Sequence, residues 1–240
     1  MLEIKHLSKT YRNSSKKAID DINLTIEDGD IYGFVGPNGA GKSTTIKCIV
    51  GIHDYDAGSI TFNGLDIIKD SFEVKKELAY IPDNPDLYES LTGIEYLNFV
   101  ANIYKVGEER NELIHKYASK FSIETDLANQ IQSYSHGMKQ KLAIISALIH
   151  NPKMIILDEP FVGLDPKATH DLKEILVECC KNGTSVFFSS HILEVVEKFC
   201  NKVCIIKNGK IVANGLTNEV KGDSTLEDKF MELFEDEQSN

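Results

Sequence analysis

The stretch Ile31-Tyr32-Gly33-Phe34-Val35-Gly36-Pro37-Asn38-Gly39-Ala40-Gly41-Lys42-Ser43-Thr44 decides the fold. A short apolar run, Ile31–Val35, enters a glycine-rich loop, and a helical pattern over residues 42–50 leaves it. Strand, loop and helix in that order give Gly-x-x-x-x-Gly-Lys-Ser, the Walker A pattern, its structural meaning. The glycines allow backbone shapes and close approach that side chains would block, so successive N–H groups can point inward at phosphate oxygens. The helix adds the positive end of its dipole. Lys42 can reach β and γ phosphates as a point charge, and the Ser43 hydroxyl can ligate magnesium. Taken without its neighbours, the loop would be a glycine-rich turn with an incidental lysine.

Further on, Met154-Ile155-Ile156-Leu157-Asp158-Glu159 sets two carboxylates at the end of a run apolar on both faces. An open α/β sheet presents groups to its ligand at such strand ends. A strand that ends in acids is ordinary on its own. Beside a phosphate loop, Asp158 becomes the expected magnesium-linked carboxylate and Glu159 the group that polarises an attacking water.

The remaining pattern extends this α/β reading. The first 35 residues alternate apolar and polar positions, as in Ile22-Asn23-Leu24-Thr25-Ile26, and read as an antiparallel β section. A second β stretch over 59–62 ends at the turn Asn63-Gly64. From 91 to 150 the character is helical: Thr92-Gly93-Ile94-Glu95 has capping-box form, and Leu97, Val100, Ala101 and Tyr104 share a face. Further helices are expected over 109–121 and 136–149. After Pro152, strands at 154–157, 185–188 and 203–207 alternate with helices at 167–180 and 192–199. Such alternation implies a mainly parallel sheet covered on both faces. The expected architecture is a P-loop NTPase core with an N-terminal antiparallel β section and a helical subdomain inserted over about 87–150, all within one domain, 1–240. The stretch 223–240 is acidic and expected to be a short helix with a frayed end.

Composition bounds the function classes. With 42 % apolar residues in 240, the chain can build a real core. A net charge of -11 opposes general attraction to a polyanion, so no nucleic-acid partner is expected. Apolar runs fall far short of the roughly 18 residues a membrane-spanning helix requires. The N-terminus carries Glu3 and Lys5 without a secretory apolar segment, and the expected location is the cytoplasm. The five cysteines, Cys48, Cys179, Cys180, Cys200 and Cys204, lack zinc-finger spacing and read as reduced, mostly buried thiols.

Over nearly its full length the chain resembles an ATP-binding-cassette nucleotide-binding domain, with that family's motifs in that family's order. The resemblance implies ATP and Mg2+ as ligands, with the loop Gly36, Pro37, Asn38, Gly39, Ala40, Gly41, Lys42, Ser43 and Thr44 on the phosphates. It implies Tyr11, in Lys9-Thr10-Tyr11-Arg12, as the ring stacked on adenine, and a flat ring suits that task. Read alone, Tyr11 would be a strand residue. Gly163-Leu164-Asp165 resembles the segment that crosses the dimer interface, and His191 matches the switch histidine at the γ phosphate. The family signature, usually Leu-Ser-Gly-Gly-Gln, corresponds to Tyr134-Ser135-His136-Gly137-Met138, which keeps the serine and second glycine. By resemblance, Ser135 and Gly137 face the γ phosphate of a partner cassette. Asp83 occupies the place where the family most often has a glutamine near the metal; as an ordinary reading, Tyr80 to Pro85 is a proline-bounded loop with solvated acids.

The resemblance further implies an ATPase subunit, peripheral on the inner face of the cell membrane through a separate membrane-spanning subunit. Closure would require a homodimer or a heterodimer with another cassette. The signature variant leans toward the exporter branch of bacterial cassettes, and the loop 82–88 with the helix after Thr92 is the expected docking groove. Two other classes compete: a soluble cassette acting on ribosomes or DNA, and a P-loop GTPase or small kinase. The former usually carries tandem cassettes or a basic arm. The guanine-reading aspartate of GTPases is missing from Asn201-Lys202-Val203-Cys204.

Overall fold

A computed structural model describes residues 1–12 and 14–235. Two sheets organise the chain. The first is antiparallel in order β2-β1-β4-β5, from β1 (Leu2–Thr10), β2 (Lys17–Ile26), β4 (Ala57–Phe62) and the short β5 (Leu65–Asp66). Its strands alternate buried and exposed positions because only one face meets the core.

The second sheet has the order β10-β9-β3-β8-β7-β6. β3 (Ile31–Val35), β6 (Leu78–Ile81), β7 (Met154–Asp158), β8 (Ser185–Ser190) and β9 (Lys202–Lys207) run parallel, and β10 (Lys210–Leu216) is antiparallel on the edge. β7 and β8 are buried at every position, as a strand covered on both faces must be. Successive side chains alternate faces. Met154, Ile156, Phe187, Cys204 and Ile206 join one core with the antiparallel sheet and α1 (Lys42–Ile49). Ile155, Leu157, Val186, Phe188, Val203 and Ile205 point the other way, into a core covered by helices.

Those helices include α3 (Gly93–Ile103), α4 (Arg110–Lys120), α5 (His136–Leu148), α6 (Pro166–Lys181) and α7 (Leu193–Phe199), with α2 (Ser71–Glu77) ahead of β6. The expected capping box opens α3: the Thr92 hydroxyl accepts from Glu95 N, and the Glu95 carboxylate accepts from Thr92 N at 2.8 Å. Leu97 and Ala101 form its buried face. Between α4 and α5 the chain is not continuous helix; it makes 3-10 turns at Glu124–Ala128 and Ile131–Ser133.

Several expectations need correction. β8 continues two residues past 188, which places Ser189 and Ser190 inside the sheet. The structure also adds β6, β10, α2 and α8 (Thr217–Lys221), which the sequence pattern does not announce. β6 is only four residues at the margin of the sheet, and β10 alternates between partly exposed and exposed positions, so β10 carries no strong apolar run. The expected tail helix is α9 (Leu226–Glu235), with Phe230 and Phe234 stacked at 4.3 Å; residues 236–240 of the tail lie outside the described residues. All five cysteines are free, with Cys48, Cys200 and Cys204 buried. Among the described residues no helix is long and apolar enough to cross a membrane.

Phe187 is fully buried where the two sheets face each other, with ring centroids 6.0 Å from Tyr32 and 5.3 Å from Phe34. Phe187→Ala is expected to cost about 3–5 kcal/mol, the range for truncating a buried aromatic. Denaturant titration should show the midpoint falling at unchanged slope.

Candidate functional site

The glycine-rich loop is wedged where the two sheets meet. A Cβ on Gly36 would sit 2.4 Å from the carbonyl oxygen of Ile206 in β9, and one on Gly41 would sit 2.5 Å from that of Ala18 in β2. Gly41 also has φ +113, a backbone state that side chains disfavour. Ala40 N–H donates to Pro37 O at 3.1 Å, and Gly209 N–H, from the β9–β10 turn, donates to Ala40 O at 2.9 Å. The walls are therefore fixed while the crest, Pro37, Asn38 and Gly39, is exposed. This is a cradle whose close backbone approach leaves N–H groups available to an anion. α1 begins at its end without a side-chain cap.

Lys42 is the first residue of α1 and only 6 % exposed. Its ammonium donates to Gly36 O at 2.6 Å and Pro37 O at 3.3 Å, so it spans the loop from inside. Burial holds its pKa below the usual lysine value, against the opposing pull of Glu159 and Asp158. The Ser43 hydroxyl lies at the exposed rim, beside Thr44.

Asp158 ends β7 and is 2 % exposed. The parallel register sets it opposite Ser189, whose hydroxyl donates to Asp158 Oδ1 at 2.5 Å and accepts from Glu159 N–H at 3.0 Å. One serine thus holds both acids of the pair. In the sequence Ser189 is no more than a neighbour of His191; pairing β8 with β7 in register is the signal that identifies it. Glu159 has φ +49, uncommon for a non-glycine residue, and its Oε2 lies 2.9 Å from His191 Nδ1. Since β8 leads directly into His191, the sheet brings Lys42, Asp158, Glu159 and His191 to one end.

Asp83 lies two residues past the end of β6, whose last residue Ile81 pairs with Leu157, the residue before Asp158. The phenol of Tyr80 is pushed up to about 12, first by burial and then by the charges of Asp158 and Asp83. Asp83 itself is exposed and accepts from Asn84 N–H at 2.9 Å. Tyr11 reaches the loop from β1: its hydroxyl lies 3.2 Å from Thr44 Oγ1.

Ser135 and Gly137 belong to the start of α5. The Ser135 hydroxyl caps α5, accepting from Met138 N–H at 3.3 Å. A Cβ on Gly137 would come within 2.9 Å of Gly163 O, and one on Gly163 would meet the His136 ring at 2.6 Å. Lys141 adds an ion pair to Asp165 at 2.9 Å. The start of α5 and the 163–165 segment are therefore packed together. Among the described residues no hydrogen bond or ion pair links Ser135 or Gly137 to Lys42, Asp158, Glu159 or His191.

The donor set suits magnesium bound with a phosphate ligand. Among the described residues no group of three or more His, Cys, Asp or Glu side chains could hold a metal alone. A hydroxyl and one buried carboxylate leave positions for water and phosphate oxygens, which is how Mg2+ usually binds.

Residues 19–162 match the sequence profile of a family described as ABC transporter. The chain is similar to the ABC-type transporter ATP-binding protein EcsA of Bacillus subtilis, 36 % identical across 99 % of this chain and 98 % of that one. A solved structure described as the ATP binding subunit of an ABC transporter superposes with a TM-score of 0.94 at 34 % identity, covering 98 % of this chain and 100 % of the other. The cbiO1 protein of Clostridium perfringens, described as part of the ABC transporter complex cbiONQ, matches with a TM-score of 0.78 at 28 % identity over 92 % of this chain and 90 % of its own. A loop-and-carboxylate site of the phosphate-binding kind, carried on a fold and sequence shared at this level, leads to one assignment: the chain belongs to the ABC transporter family, as an ATP-binding subunit.

Proposed function

We propose that this subunit hydrolyses ATP to drive transport through a separate membrane-spanning protein, by closing on a second cassette with ATP between them. The observation that carries the proposal is the division of the site. Lys42, Asp158, Glu159 and His191 converge at one sheet end, whereas Ser135 and Gly137 stand at the start of α5, tied to Gly163 and Asp165 and, among the described residues, joined to none of those four by a hydrogen bond or ion pair. A copy facing the first would supply the missing half.

In this reading the free backbone N–H groups of the loop 36–44 grip the triphosphate, and Lys42 exchanges its carbonyl partners for β and γ oxygens. Ser43 and Asp158, with Asp83 nearby, would hold Mg2+, which supplies charge neutralisation at the phosphates. Glu159 orients and polarises the attacking water, and His191, hydrogen-bonded to Glu159, holds that carboxylate and reaches toward the γ phosphate. Tyr11 offers a ring to adenine. From the partner cassette, Ser135 and Gly137 close the pocket with hydroxyl, amides and the α5 dipole. Exclusion of water and fixed donors supply most of the rate enhancement.

The helices inserted between β6 and β7, over about 87–150, form the subdomain that carries the closing face and meets the membrane partner. Exposed aromatic surface at that place supports this: Tyr88 is 59 % and Phe99 42 % exposed, with ring centroids 5.6 Å apart. By that partner the subunit sits on the inner face of the membrane, as cbiO1 is part of a transporter complex. The signature variant, Tyr134-Ser135-His136-Gly137-Met138, supports a place in the exporter branch.

Lys42→Ala should abolish the rise in melting temperature that ATP with Mg2+ gives the wild type; at 100 Kd of ligand that rise corresponds to about 2.7 kcal/mol. An unchanged rise would remove the loop from the mechanism. Glu159→Gln should bind ATP, turn over at least 100-fold more slowly, and run as a dimer by light scattering only with ATP. A monomer under those conditions, or wild-type turnover, would refute the division of the site. Affinity purification from detergent-solubilised membranes should recover a polytopic protein with the subunit, and recovery only with ribosomes or nucleic acid would favour the soluble class.

A further inference from the structure

Tyr11 is a half-exposed aromatic, 41 % accessible, at the end of a β strand. An exposed tyrosine normally samples several rotamers, and a ring that must receive a flat base gains affinity from being held in place beforehand. Three contacts hold this one. Its hydroxyl lies 3.2 Å from Thr44 Oγ1 in the first turn of α1. The His53 ring meets it at 5.8 Å between centroids and an interplanar angle of 88°, an edge contact favoured by the ring quadrupole. Lys9 Nζ lies 5.8 Å from the ring centroid, at the outer limit of cation–π attraction.

His53 is anchored by its backbone beyond the far end of α1. Ile52 N–H and His53 N–H both donate to Lys47 O, at 2.8 and 3.0 Å, so the residue is fastened to the C-terminal end of α1. Asp56 closes the same corner: its carboxylate accepts from Thr10 N–H at 2.6 Å, and its own N–H donates to Ser8 O at 2.8 Å. The aromatic ring is thus braced against both ends of the helix whose start forms the phosphate loop. A perpendicular neighbour uses an edge, so His53 leaves at least one face of Tyr11 to a base.

We propose that His53 is a positioning residue for the adenine platform: it sets the plane of the Tyr11 ring, and so the spacing between the base and the phosphate loop, without touching nucleotide. The inference rests on the reading of Tyr11 as the ring that stacks on adenine.

The test compares dissociation constants of ATP and of tripolyphosphate, which has no base, by calorimetry on the full chain. His53→Ala should weaken ATP about 3- to 10-fold and leave tripolyphosphate within twofold, while His53→Phe, which keeps an aromatic edge, should restore ATP affinity. In a Tyr11→Ala background the His53→Ala change should add nothing. Should Tyr11→Ala weaken ATP while His53→Ala does not, the positioning role is overturned and the platform reading stands. An equal loss for both ligands, or a full His53→Ala effect in the Tyr11→Ala background, also overturns it. If Tyr11→Ala itself leaves ATP affinity unchanged, the platform reading fails.

Discussion

The structure depends on a steric constraint at the junction of the two sheets. Carbonyl oxygens of Ala18 and Ile206 press so closely on the phosphate loop that positions 36 and 41 have no room for a Cβ. That closeness fastens the loop to β2 on one side and β9 on the other, so its amides are directed by both sheets rather than by the loop's own preferences. The fully buried strands next to it make the arrangement rigid: close-packed apolar layers on both faces of β7 and β8 resist displacement.

Rigidity at the strand ends is carried to the acids by one hydroxyl. Ser189 donates to Asp158 and accepts from the Glu159 amide, satisfying groups that would be costly to leave unpaired in a buried place. With that amide fixed and Glu159 held at positive φ, the carboxylate turns toward His191. Electrostatics are set by the same geometry. Among the described residues the buried lysine has only carbonyl hydrogen-bond partners and no ion pair, and both acids act on it through space.

Much of this is legible in the residues. Ile31–Val35 followed by three glycines and Lys42 can be read because the order of apolar run, breaker and helix leaves one topology. The cap at Ser135 and the capping box at Thr92 are readable because they are local hydrogen bonds within four residues. Ser189, His53 and the contact of His136 with Gly163 are not, since each depends on a partner brought near by sheet register or helix packing. β6 is hidden for a related reason: four residues at the margin of the parallel sheet gain their strand form from pairing with β7, not from their own pattern.

The Lys42 ammonium is already satisfied by two carbonyls of its own loop, so the arrival of an anion is an exchange of partners rather than the capture of a bare charge. The incoming phosphate gains only the difference between two sets of contacts, and it leaves behind carbonyl groups that must turn to water or to neighbours. Under the proposed function such a loop would keep its shape when empty, and the same self-satisfaction would temper its hold on phosphate.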